Sequence, residues 1–311
     1  MGTWGAALYS GDFAMDLRAT IGAVVRLPFD PDRLVDILCE TETAAAHDPH
    51  NEDHTTFWLV LADQFVKRGM SSDRVRETAL GIIAAADDIA MLEQRGMKPA
   101  DIRKRRRLLD ELRARIVATP VDKPRTVLKK PQPLLMDRGD VIVYPTCDGR
   151  CINPYLGSKE LNTRYTKDGP APWMQNGWAA AVIIDCGRAF DFLSWYRSLT
   201  IASARPQKPT LDSLRGDVVW RLELPGTCSP THFNRMELEK IGTLPVDPER
   251  VRSVFPGLRP GISAAVSDIS IANRLSAAPD AGSDRIAKPV ELLKGRARGI
   301  TRIEQILSDS A

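Results

Sequence analysis

Apolar residues recur at three- and four-residue spacing through the first 118 positions, and that period predicts helices. Phe13, Leu17, Ile21, Val24 and Val25 form one stripe, with Asp12 placed to cap it. Asp30-Pro31 opens a second helix, whose stripe is Leu34, Ile37 and Leu38. A third opens at Asp53 or Thr55, runs through Trp58, Leu61, Ala62 and Phe65, and stops at Gly69. A fourth, capped by Ser71 or Ser72, carries Val75, Ala79, Ile82, Ile83, Ala86 and Ile89 and ends at Gly96. Pro99 opens a fifth with Ile102, Leu109, Leu112 and Ile116 on one side. Short connections favour antiparallel neighbours, so the expectation is a helical bundle. Its third and fourth helices are the most apolar and belong at the centre.

From Thr119 the pattern changes. Pro120, Pro124, Pro131 and Pro133 sit among Lys123, Arg125, Lys129 and Lys130. Proline cannot continue a helix, so 119–135 reads as a linker. Short β runs follow at 139–145, 179–186 and 217–224, the last with clean alternation. Asp148-Gly149 supplies a hairpin turn. Phe192, Trp195, Tyr196 and Leu199 fit helical spacing better than strand spacing. Ile300, Ile303 and Ile306–Leu307 predict a terminal amphipathic helix. The expected fold is α+β. A helical bundle at 1–118 precedes an antiparallel, small barrel-like β module at 136–258, and 259–311 is a C-terminal extension.

The chain has 311 residues, enough for roughly two domains that each bury a core. The net charge of +3 implies no strong overall targeting to nucleic acid or membrane, so charged clusters are judged singly. Five cysteines, Cys39, Cys147, Cys151, Cys186 and Cys228, are too sparse for a disulfide scaffold and read as reduced thiols. The N-terminus lacks the basic and apolar regions of a signal peptide. No apolar stretch approaches the roughly 20 residues of a membrane span. A cytoplasmic protein with no membrane partner is the expectation.

Candidate chemistry is thin. His47, His50 and His54, with Glu52 among them, are residue types that bind zinc. Pro49 breaks any helix that would align them, and a solvated polar loop is the competing reading. Cys147 and Cys151 stand at zinc-pair spacing or across a turn that permits a disulfide, against two reduced turn cysteines. Cys228, Ser229 and His232 form a weak nucleophile–base set without an orienting third group. No phosphate-cradling glycine loop is present, so no nucleotide cofactor is expected. Arg103, Lys104, Arg105, Arg106 and Arg107 make a basic run that suits nucleic acid, an acidic protein or simply water. Trp173 and Trp178 flank an aromatic loop suited to anchoring a protein partner.

Two stretches carry a resemblance. Met1-Gly2-Thr3-Trp4-Gly5, Ser10-Gly11-Asp12 and Phe57-Trp58-Leu59-Val60-Leu61-Ala62-Asp63-Gln64 resemble a bacterial family catalogued as a domain of unknown function, over roughly 1–117. Its members carry a Trp-Leu-Ala-Leu-Ala-type helix; Val60 stands here for the usual Ala, and Ala6 where Thr is common. Arg138-Gly139-Asp140-Val141-Ile142-Val143-Tyr144-Pro145, Asp148-Gly149-Arg150 and Ile241-Gly242-Thr243-Leu244-Pro245-Val246 resemble small β immunity proteins of bacterial polymorphic toxin systems, over 134–250. Cys151 replaces their aromatic, and an insertion follows.

The second resemblance implies a non-catalytic binder of the immunity or antitoxin type that occludes a partner protein. Aromatic and arginine anchors carry most interface energy, which points to Trp173, Trp178 and Arg150, with Arg103, Arg105, Arg106 and Arg107 as a steering patch. Two alternatives stay open. One is a nucleic-acid-associated defence or regulatory protein using the basic helix. The other is a metal-dependent hydrolase using the His47–His54 loop.

Overall fold

The computed structural model describes residues 5–118, 125–154, 164–166, 169–171, 174–259, 261–267, 269–275, 277 and 299–308. The chain divides into two compact units, Met1–Lys130 with Val266–Asp268, and Pro131–Ala265 with Ile269–Ala311. The architecture is α+β, with most helices in the first unit and a six-stranded antiparallel sheet in the second.

The helical unit contains α1 (Asp12–Val24), α2 (Pro31–Thr41), α3 (Thr43–His47), α4 (His54–Lys67), α5 (Asp73–Ala85), α6 (Asp87–Gln94) and α7 (Pro99–Val117). The Asp30 side chain accepts from the Arg33 amide and caps α2 as its sequence predicts. Ser72 likewise caps α5 through the Val75 amide. At α1 the capping position is Gly11, and Asp12 is the first helical residue. The expected fourth helix is two helices. Ala86 adopts a left-handed conformation (φ 59°) between α5 and α6 and breaks the run.

α4 is the centre of this unit and packs against α1, α3, α5, α6 and α7. Thr55 and every residue from Phe57 to Phe65 are buried. Burial on all sides explains why its Phe57–Ala62 stretch is apolar without interruption.

The second unit holds β1 (Asp140–Thr146), β2 (Arg164–Thr166), β3 (Gly169–Ala171), β4 (Gly177–Ala189), β5 (Leu193–Ile201), β6 (Val219–Leu222), β7 (Glu239–Thr243) and β8 (Ile300–Arg302). Three short helices, α8 (Pro230–Arg235), α9 (Pro248–Val254) and α10 (Ile262–Ser267), lie along it in sequence. Sheet order is β7-β1-β4-β5-β6-β8, and β2 and β3 form a separate ribbon. The segments that follow the two edge strands pair with each other. Val246 and Leu307 form an antiparallel bridge, and the Asp247 amide donates to the Ile306 carbonyl at 2.8 Å. That pairing joins the edges and gives the sheet a barrel-like closure.

Two expectations change here. The segment with helical spacing at Phe192–Leu199 is strand β5, all nine of whose residues are buried. The expected terminal helix is strand β8 followed by a 3-10 turn over Ile303–Ile306.

Strand register sorts the side chains. Residues directly opposite in an antiparallel pair share a face. Val143 opposes Ala180, Val182 opposes Leu199, and Leu199 opposes Leu222, which gives an apolar face. Tyr144 opposes Ala179, Ala181 opposes Thr200, Ile183 opposes Ser198, and Thr200 opposes Arg221, which gives a second face of mixed polarity.

Candidate functional site

The β1–β4 pairing brings two of the expected binding residues to one end of the sheet. Pro145 opposes Trp178, and just past β1 the chain turns through Asp148 and Gly149, both with positive φ (50° and 75°). Cys147 and Arg150 close the turn with reciprocal backbone bonds of 2.9 and 3.0 Å. Positive φ at both central residues is what a type I′ hairpin turn requires. The turn is anchored from β4's side. The Asp148 amide donates to Asn176 Oδ1 at 2.9 Å, and Asn176 Nδ2 donates to Asp148 Oδ1 at 2.7 Å.

Arg150 is therefore exposed on a rigid turn. Trp178 is half-buried, with Lys208 Nζ 5.4 Å from its ring centroid, and the Met174 side chain is 70% exposed. Trp173 lies outside the described residues.

The basic run lies on α7, and its residues do not share one fate. Arg103, Arg106 and Arg107 are exposed. Arg106 pairs with Glu93 at 3.3 Å, and Lys104 with Asp101 at 3.3 Å. Arg105 leaves the expected patch. It is buried and bound to Asp88, with Nε to Oδ2 at 2.8 Å and Nη2 to Oδ1 at 2.9 Å. Its position three residues after Ile102 and four before Leu109 puts it on the inward stripe, where a charge needs a partner.

The histidine loop does not converge. His47 and His50 are exposed, and the His50 amide is bound to Asp48 Oδ1. Glu52 pairs with Arg95 at 3.1 Å. His54 Nδ1 sits 2.8 Å from the Ala45 carbonyl, and Trp58 Nε1 donates to the Ala46 carbonyl at 3.2 Å. One turn apart on α4, His54 and Trp58 occupy carbonyls of α3, a structural use of both rings. Among the described residues, no group of three His, Cys, Asp or Glu is placed to hold a metal ion.

All five cysteines are free thiols. Cys147 is paired through its backbone with Arg150, not with Cys151. Burial pushes the Cys151 thiol up to about 12, and its Sγ lies 3.3 Å from the Ala272 carbonyl. Burial also pushes Cys228 up to about 12. A nucleophilic thiol needs the opposite shift. Ser229 is occupied as the cap of α8, accepting from the His232 amide at 3.1 Å.

Two polar constellations escaped the sequence. In the helical unit, Asp63 on α4 is 1% exposed. Its Oδ2 accepts from Lys67 Nζ at 2.7 Å and from the Tyr9 hydroxyl; its Oδ1 accepts from Arg115 Nη1 at 2.8 Å. Burial works to raise this carboxyl, but the bonds from Lys67, Tyr9 and Arg115 outweigh it and hold it below the usual carboxylate range. Gln64 bridges Tyr9 and Arg68. Burial and the Asp63 bond push the Tyr9 phenol well up, so it is a neutral donor.

In the β unit, the mixed face of the sheet buries Arg221 with Glu223 at 2.5 Å, and Thr200 donates to the same carboxylate oxygen at 2.8 Å. Burial pushes Glu223 up, against the pull of Arg221. Tyr144 OH, Thr146 Oγ1 and Ser198 Oγ are also buried there without a hydrogen-bond partner among the described residues. The signal for both constellations was a polar residue inside an apolar run, as with Asp63-Gln64 and Arg221.

No family model, no curated protein and no solved structure matches the chain. Among the described residues no helix is long and apolar enough to cross a membrane.

Proposed function

We propose that this chain is a non-catalytic bacterial binding protein of the immunity or antitoxin type, which works in the cytoplasm by covering the active surface of a partner protein. The observation that carries the reading is the end of the β1–β4 pair. Arg150 lies on a turn whose backbone is held from both sides, Trp178 lies on the facing strand opposite Pro145, and the exposed Met174 precedes that strand. Rigid aromatic and arginine side chains supply most of the energy in protein interfaces, and preorganisation lowers the entropy lost on docking. The likeness of Gly139–Pro145 and Asp148–Arg150 to immunity proteins falls on the same strand and turn.

The test is titration of the full chain against the product of any toxin-like gene adjacent to its own, and the absence of such a gene counts against the reading. A 1:1 complex is expected, weakened roughly 30-fold by Arg150→Ala or Trp178→Ala, the scale of an interface anchor. Arg150 is exposed, so its variant keeps the fold. No complex, or a complex indifferent to both substitutions, defeats the reading.

One observation favours a second reading. Among the described residues no carboxylate pairs with Arg103 or Arg107 on the exposed side of α7. A nucleic-acid role would show as duplex binding that falls steeply with salt and is lost in Arg103→Gln/Arg107→Gln.

A further inference from the structure

The Tyr9–Asp63 network holds more positive charge than its own carboxylate neutralises. Arg18 Cζ and Lys67 Nζ each lie 5.3 Å from the centroid of the Tyr9 ring. Lys67 and Arg115 share Asp63. Arg68 is half-buried, bonds to the Gln64 side chain and carbonyl, and lies within electrostatic reach of Tyr9, Arg18 and Asp63. Among the described residues neither Arg18 nor Arg68 has a carboxylate partner.

Four cations around one carboxylate repel each other, and desolvation of Arg68 adds to the penalty. A cluster of that kind is relieved by a bound anion. A carboxylate ligand would bring one negative charge to a surplus of three, whereas a phosphate group brings close to two and offers three acceptor oxygens. Guanidinium forks match phosphate geometry in pairs. Lys67 and Arg115 both bond to the buried Asp63, and Arg18 and Lys67 both lie against the Tyr9 ring, so the cluster suits a single group and not an extended polyanion.

We propose that Arg18, Lys67, Arg68 and Arg115 form a binding site over Tyr9 for a small phosphate-bearing ligand. The site lies in the helical unit and does not depend on the immunity reading of the β unit.

Isothermal titration of the full chain with inorganic phosphate tests this, with acetate at matched ionic strength as the competing anion. Saturable 1:1 phosphate binding is expected, with acetate much weaker. Arg18→Gln and Arg68→Gln should each weaken it about tenfold, the scale of one lost charge-assisted hydrogen bond. Lys129→Gln, an exposed lysine elsewhere in the unit, should leave it unchanged. Arg18 is exposed, so Arg18→Gln decides the matter even where Arg68→Gln unfolds. The proposal is overturned by non-saturable heats, by acetate binding as tightly as phosphate, or by equal losses at Arg18 and Lys129. It is also overturned where single-stranded DNA binds through Arg18 and phosphate does not.

Discussion

Arg105 on α7 clasps Asp88 on α6 through two parallel hydrogen bonds, with the side chains only 6% and 2% exposed. Removing one member of such a pair leaves the other charge buried and alone, at a cost of about 3–5 kcal/mol. Arg105→Met is expected to lower the unfolding free energy of the helical unit, read from urea denaturation, by that amount. Arg105→Met/Asp88→Leu removes both charges and should recover most of it. A single variant within about 1 kcal/mol of the parent would mean that water reaches Asp88.

Asp63 ties stability to pH. Its folded carboxyl sits below the ordinary range, first against burial and then through Lys67, Tyr9 and Arg115. The unfolded carboxyl therefore takes a proton first as pH falls. Its contribution is complete above about pH 4, the unfolded value, and is lost as pH drops through the lower folded value. The Lys67 and Arg115 side chains are 50% and 44% exposed, so solvent screening limits the effect. Asp63→Asn should cost about 1–2 kcal/mol at neutral pH, with the gap to the parent closing below about pH 4. Denaturation curves across that range read it, and a gap that stays constant to pH 2 contradicts the assignment.

Helices α1, α2, α5 and α7 were legible because each carries a one-sided apolar stripe, and Asp30 and Ser72 announced their caps. The break at Ala86 was not, since alanine favours helix and only tertiary packing imposes its left-handed backbone. β5 was misread for a related reason. A strand buried on both faces loses its alternation, and the remaining large residues then mimic a helical period. Arg105 was readable in principle, since it occupies an inward position between Ile102 and Leu109. Tyr9 and Asp63 stand 54 residues apart, and no spacing rule connects them. Arg150 and Trp178 were each visible as types, but only the β1–β4 register shows that they share one end of the sheet.

Two thiols, Cys151 and Cys228, should be inert in the folded chain. Cys228 is buried and Cys151 half-buried, and burial pushes both thiols up to about 12, so both stay protonated at pH 8. Iodoacetamide labelling followed by peptide mapping should modify them only after urea unfolding. Labelling of either in the native chain at the rate of a small free thiol would show an accessible, activated cysteine and reopen the redox and catalytic readings.

Gly139 carries a sharper constraint than any cysteine. Its φ is +91°, and an added Cβ would lie 2.3 Å from the Leu244 carbonyl oxygen. The backbone cannot retreat easily, because Gly139 donates to Ile183 at 2.7 Å and accepts from Leu244 at 2.9 Å. The next residue adds to this junction: Asp140 accepts from Lys240 Nζ at 2.7 Å, from Thr243 Oγ1 at 3.2 Å and from the Asp137 amide at 2.9 Å. The Gly-Asp pair thus seats β1 against β7. Gly96 offers the control, with φ +77° and open space where a Cβ would go. Gly96→Ala should cost about 1 kcal/mol in the helical unit, the strain of a left-handed alanine. Gly139→Ala adds a backbone collision to the same strain and should cost roughly 3 kcal/mol in the β unit. Thermal unfolding of the two variants separates strain from contact. Equal losses would mean that the β7 edge yields to the methyl group, and that Gly139 is required by its backbone angle alone.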